Sequence, residues 1–224
     1  MSIFANAVTD EYGTTYALTT AGYTALVILM IAVLLGGCAL FGTKKHLSAK
    51  QLAFSAMAVA LAMMTSMIKL FEMPMGGSVT LFSMLFIVLI GYWFGLGNGI
   101  TAALAYGLLQ LVVDPYIISV PQMLVDYIFA FGALGLAGLF HGKKHGLVKG
   151  YIVAVCGRYF FATLSGVIFF GTSAPDSFPN PLVYSLAYNG SYLGAELAIT
   201  LVVICLPPVL HGLDVVKNLA AAEA

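Results

Sequence analysis

Apolar residues in this chain do not alternate with polar ones. They gather into seven long stretches separated by short segments rich in glycine, proline and charge. A helix needs about 20 apolar residues to cross roughly 30 Å of hydrocarbon. A leading stretch covers residues 18–41. Six more follow at about 52–71, 79–96, 99–113, 120–140, 148–170 and 182–206. The pattern predicts seven membrane helices, with the short stretch at 99–113 buried by its neighbours. The short alternating segments of a membrane β-barrel are not present. The expected architecture is all-α and integral to a membrane. It divides into a polar lead, an extra transmembrane helix and a basic linker over 1–48, then a six-helix domain over 49–224. A polar lead with Asp10 and Glu11 precedes the first stretch. A secretory signal would begin with basic residues, so the first helix is expected to be retained.

Composition sharpens this picture. Hydrophobic residues make up 61% of the 224 positions and charged residues 8%. Soluble domains are about one-quarter charged, because water must be met on every side. An ordinary soluble enzyme, a nucleic-acid binder and a disordered chain are all excluded. Net charge is zero, so no polyanionic partner is implied. Cys38, Cys156 and Cys205 lie inside apolar stretches and are read as small buried hydrophobes.

Basic residues orient the path. Lys44, Lys45 and Lys50 follow the leading stretch, Lys143, Lys144 and Lys149 sit between the fourth and fifth core stretches, and Lys217 follows the sixth. Seven crossings put all of these on one side, the expected cytoplasmic side, with the N-terminus outside and the C-terminus inside. The opposite links carry Asp10, Glu11, Glu72, Asp114 and Asp176. They are also the links shaped by glycine and proline, which points to a site opening outward.

Ionisable side chains at bilayer depth are costly and face a bundle interior or a cavity. Asp126 lies about 9 Å inside its helix end, at 1.5 Å per residue. Gln122 stands one turn away and Tyr127 beside it. On the last core stretch Ser185, Asn189, Tyr192 and Glu196 recur at helical spacing on one face, flanked by Tyr184 and Tyr188. Arg158 and Glu196 fall at matching depths, which predicts an ion pair closing the floor of a cavity. Lys69 reads as an interfacial anchor that snorkels. His141 and His145, four apart in a basic loop, read as solvated side chains rather than a metal site. No phosphate loop, zinc helix or nucleophile elbow occurs. No cofactor is called for, and binding or transport of a small polar molecule is favoured over catalysis.

Three segments carry a family resemblance: QMLVDYIFAFGALGLAGLF at 122–140, RYFFATLSGVIFF at 158–170 and YSLAYNGSY at 184–192. In order and spacing they resemble the thiamine-specific substrate-binding components, or S-components, of energy-coupling factor transporters. The likeness begins near Ala53 and includes Gly76-Gly77-Ser78. It implies a six-helix S-component that captures thiamine, or a close relative of it, from outside. Its partners would be a transmembrane coupling protein and two cytoplasmic ATPases. The resemblance assigns ligand contacts to Tyr116, Asp126, Tyr127, Arg158, Gly166, Phe170, Tyr184 and Asn189, beside Glu196 from the helical stripe. It assigns a lid to Gly76, Gly77 and Ser78, and coupling-protein docking to Ala56 and Ala60, where small residues let helices approach closely. Asp126 stands where the family has Glu, Ala162 where it has His, and Phe170 where it has Trp. Two rival readings are an ion-coupled carrier working alone, and a membrane enzyme or structural subunit.

Overall fold

The computed structural model describes residues 3, 5–10, 13–41, 48–175 and 177–221. Lys44, Lys45, Glu11 and Asp176, which entered the charge count above, lie outside the described residues. The chain opens with a hairpin of β1 (Ala5–Asp10) and β2 (Gly13–Leu18) and continues into α1 (Thr20–Phe41). Next come α2 (Ala49–Ser66), a second hairpin of β3 (Lys69–Glu72) and β4 (Ser78–Thr80), and α3 (Ser83–Phe94). Helices α4 (Leu96–Val113), α5 (Val120–Phe140), α6 (Gly146–Phe169) and α7 (Pro181–Ile204) complete the bundle, each long and apolar enough to cross a membrane. A last helix, α8 (Pro207–Ala221), follows a Pro-Pro start. The all-α membrane architecture expected from the sequence is what the chain adopts.

Three boundaries differ from the apolar pattern. The stretch at 52–71 is not one helix: α2 stops at Ser66, and the chain turns into β3, which pairs antiparallel with β4. The stretch at 79–96 begins as β4 and becomes helical only after Phe82, whose φ of 61° breaks the run. Apolar runs alone cannot separate a buried strand end from a helix start. The short buried element is α3 rather than the expected 99–113 helix. Its 12 residues span about 18 Å. Met84, Ile87, Val88, Leu89 and Ile90 are all at most 2% exposed. A helix apolar all round belongs at the centre of a bundle, and α3 sits there. Helix α4, by contrast, has 18 residues and a full-length apolar span.

Glycines set how closely α3, α4 and α5 meet. Gly95 joins α3 to α4 at φ 88°, a conformation that L side chains avoid. A Cβ on Gly135 would fall against the Ile100 and Gly99 backbones, and one on Gly99 against Gly91 and Gly135. Backbone therefore meets backbone along this seam. The second half of α5, Ala133–Phe140, winds as a tighter 3₁₀ helix where it lies against α4 and α6.

One end of the bundle gathers the β3–β4 hairpin, the 114–119 link and the 170–175 turn. Lys69 reaches Asp114, and the Tyr116 and Phe170 rings lie 5.9 Å apart. The opposite end carries Lys143, Lys144, Lys149 and Lys217. There Lys217 stands 4.7 Å over the Tyr92 ring, and His141 Nδ1 lies 2.9 Å from the Tyr92 carbonyl. Cys156 and Cys205 are exposed rather than buried. In a bundle whose apolar surface faces lipid, an apolar neighbourhood no longer means burial.

The glycine seam gives a direct test. Gly135→Ala should cost about 1–3 kcal/mol through overpacking. Gly194→Ala, whose Cβ meets nothing within 4 Å, should be neutral or slightly stabilising. Thermal unfolding in detergent checks both.

Candidate ligand chamber

Helix α7 forms one wall. Asn180 starts it: its Oδ1 accepts from Val183 N at 2.9 Å, with Pro181 in the first turn. The predicted stripe faces inward. Ser185, Asn189, Tyr192 and Glu196 are 2, 5, 9 and 3% exposed. The polar atoms of Ser185, Asn189 and Tyr192 are tied together and to α6. Tyr192 Oη donates to Asn189 Oδ1 at 2.9 Å, Asn189 Nδ2 donates to the Ser185 carbonyl at 2.9 Å, and Ser185 Oγ donates to the Thr163 carbonyl at 2.8 Å. Gly166 lets α6 approach here, because a Cβ on it would strike Ser185 Oγ.

Helix α5 forms the facing wall. Ser119 Oγ accepts from Gln122 N at its start. The next stretch, Leu124–Phe129, is wound as a π-helix and carries Asp126 and Tyr127. Such segments are frequent at functional sites. Gln122, 1% exposed, is the hub: its Nε2 donates to Asp126 Oδ2 at 2.6 Å and to the Tyr116 carbonyl at 3.1 Å, and its Oε1 accepts from Ile118 N. Tyr127 Oη accepts from Tyr116 N at 2.8 Å and donates to the Asp114 carbonyl at 3.1 Å. These bonds fix the 114–119 link as a rim.

Between these walls lies a chamber of about 180 Å³. Every ligand and lid position named from the sequence lines it: Tyr116, Asp126, Tyr127, Arg158, Gly166, Phe170, Tyr184, Asn189, Glu196, Gly76, Gly77 and Ser78. Rings concentrate near its mouth, where Tyr184, Tyr188 and Tyr192 follow one another at 5.8 Å. The hairpin covers it. Tyr188 Oη accepts from Gly77 N at 3.0 Å and donates to the Pro74 carbonyl. Ala56 and Ala60 lie elsewhere, on the exposed face of α2.

One expectation fails. Among the described residues no ion pair joins Arg158 to Glu196; the ion pairs found are those of Lys69. The Arg158 guanidinium stands 4.0 Å over the Phe131 ring. Glu196 Oε2 instead accepts from Thr80 N at 2.9 Å and Thr80 Oγ1 at 2.8 Å. The hairpin brings those donors to α7, and nothing in the helical pattern foretold them. Nor is Lys69 a free interfacial anchor. It bridges Glu72 at 2.7 Å and Asp114 at 3.0 Å, at the chamber's edge. Sequence reasoning also missed Tyr106 and Gln110, hydrogen-bonded at 2.7 Å, and Ser165, a buried hydroxyl on the chamber wall that interacts with Asp126. Tyr106 and Gln110 are four apart in an apolar stretch, the same signal that exposed the α7 stripe.

Fold and site together define a multi-pass membrane protein with a partly polar, aromatic-lined chamber. A family model described as "Thiamine transporter protein (Thia_YuaJ)" matches residues 52–212. The chain belongs to that family, whose members are transporters rather than enzymes. It is 36% identical over 149 residues to the protein named thiamine transporter ThiT of Bacillus subtilis (strain 168), covering 60% of this chain and 77% of that one. A solved structure of ThiT from Listeria monocytogenes superposes with a TM-score of 0.65 at 22% identity, covering 76% of this chain and 96% of the other. That likeness concerns the fold.

The Lys69 bridges generate a prediction. Its hydrogen bond to Glu72, outweighing partial burial and helped by Asp114, raises the Lys69 pKa above the ordinary 10.5. A raised folded-state pKa means the tie is fully present below pH 10.5 and is lost as pH climbs through the raised value. Protease sensitivity of the 69–80 hairpin should therefore stay flat from pH 7 to about 10 and rise above that. Lys69→Met should show the raised sensitivity already at pH 7. As an exposed tie it is worth no more than about 1 kcal/mol, so global unfolding should barely shift.

Proposed function

We propose that this chain is the S-component of an energy-coupling factor transporter, capturing thiamine at the outer face of the cell membrane. The observation that carries this reading is the shared chamber. An acid on α5 and an amide on α7 face one void under aromatic rings, in a chain of the thiamine transporter family. Asp126, steadied through one oxygen by Gln122, offers a carboxylate to the amino-pyrimidine. Tyr116, Phe170 and Tyr184 enclose the rings, and aromatic faces attract the cationic thiazolium. Asn189 and Arg158 supply further polar contacts. Gly76, Gly77 and Ser78 act as the lid, with positive φ at Gly76 and its neighbour Met75 allowing the turn.

The hairpin end faces outward and the basic end faces the cytoplasm, in keeping with the placement of Lys143, Lys144, Lys149 and Lys217. This puts the N-terminus outside. Release inside is driven by a coupling protein and two ATPases, consistent with the lack of a phosphate loop in this chain. Ala56 and Ala60 form the docking patch for the coupling protein. Residues 49–224 form the substrate-binding domain. The additional α1 packs on α4, leaving the Ala56 and Ala60 face of α2 open.

Calorimetric titration of the purified chain with thiamine tests the reading. One-site binding is expected, weakened about 10- to 100-fold in Asp126→Ala, as for loss of a charged hydrogen bond of roughly 1.5–3 kcal/mol. Absence of heat with the parent chain, or equal affinity in the variant, would contradict it.

A further inference from the structure

Glu196 belongs to the stripe that faces the chamber, yet its oxygens are engaged by the protein. Oε2 takes both the main-chain N–H and the hydroxyl of Thr80, the last residue of β4. Oε1 lies 3.5 Å from Met84 N, in the first turn of α3. The first N–H groups of a helix have no partner within it, and Phe82, which precedes α3, contributes no side-chain cap. A carboxylate from another helix takes that place, where the helix dipole also favours negative charge. Thr80 Oγ1 lies 2.6 Å from Ser83 Oγ, so the root of the hairpin and the start of α3 are joined as one unit.

Two helical turns earlier on the same face of α7, Tyr188 holds the hairpin tip at Gly77 and Pro74. The two fastenings differ in kind. The tip contacts are half-buried or exposed, while the Thr80 bonds are buried. Local opening begins where hydrogen bonds are exposed to solvent. The tip is therefore the part that lets go, and the root is the part that stays.

We propose that Glu196 is a positioning residue, the hinge pin of the lid: it fixes Thr80 and the first turn of α3 to α7, and the hairpin swings about that point. It acts on the ligand through the lid, not by contact. This rests on the thiamine reading for its binding arm, whereas the lid arm below does not.

Thiamine association and release can be followed by rapid filtration with labelled ligand, using the full chain in nanodiscs. In parallel, spin labels at Met75→Cys and Val183→Cys, in a chain with its native cysteines replaced, report the lid distance. Glu196→Leu should speed release about tenfold, change association less than about twofold, and broaden the distance distribution. Glu196→Gln keeps a carbonyl oxygen for Thr80 and should stay within about threefold of the parent. Thr80→Val should resemble Glu196→Leu, Thr80→Ser should resemble the parent, and the double variant should be no worse than the worse single one, as coupled partners require. If Glu196→Gln lost as much as Glu196→Leu, or the Thr80 effect simply added, Glu196 would be touching the ligand and the proposal would fall. Unchanged release and an unchanged distance distribution in Glu196→Leu would also overturn it. If Glu196→Leu failed to fold, Thr80→Val and Glu196→Gln would decide the matter. A parent chain that bound no thiamine would refute the thiamine reading, leaving the spin-label distances to judge the hinge.

Discussion

A hydrogen-bonding group at bilayer depth has no water to fall back on, and leaving it unpaired costs several kcal/mol. Helix α7 carries four such groups on one face, and much of the molecule's inner arrangement follows from where they find partners. Ser185 turns to the α6 backbone, Asn189 to Ser185 and Tyr192, and Glu196 to the hairpin root. The Ser185 and Glu196 bonds hold α6 and the hairpin root against α7, while the Asn189 bonds brace the stripe within α7. The chamber is the space left where the stripe faces α5 across the bundle, and Asp126 occupies the far side of it. The polar face therefore organises the packing as well as lining the void.

Backbone contact at the glycine seam supplies the opposite half of the design. Because Gly91, Gly99 and Gly135 let α3, α4 and α5 meet closely, the short helix α3 fits at the centre of the bundle. Its N-terminus then lies at the chamber, within reach of Glu196. Its other end meets the basic side through Tyr92, which contacts both His141 and Lys217.

The sequence made the membrane helices legible, because hydrocarbon imposes both a length and a composition on them. It made the α7 stripe legible because polar residues recurring at helical spacing in an apolar run stand out. Asp126 was visible for the same reason. What it did not reveal depended on partners far along the chain. Thr80 meets Glu196 across 116 positions, and Lys69 meets Asp114 across 45. The Arg158–Glu196 pairing was inferred from depth alone, and depth says nothing about which other donors a hairpin will bring. The 69–80 hairpin was hidden because its strands continue the apolar runs of α2 and α3. Helix α8 lay beyond the last long run, in a mixed segment too polar to register as a span.

The proposed function requires that the chamber be reached from outside and be filled by thiamine. Impermeant maleimide labelling of Ala162→Cys in intact cells, in a chain with Cys38, Cys156 and Cys205 replaced, tests this most directly, since Ala162 lines the chamber and a thiol there adds little bulk. Labelling from outside that thiamine suppresses is the predicted result. Labelling only after the cells are permeabilised, or labelling indifferent to thiamine, would contradict it.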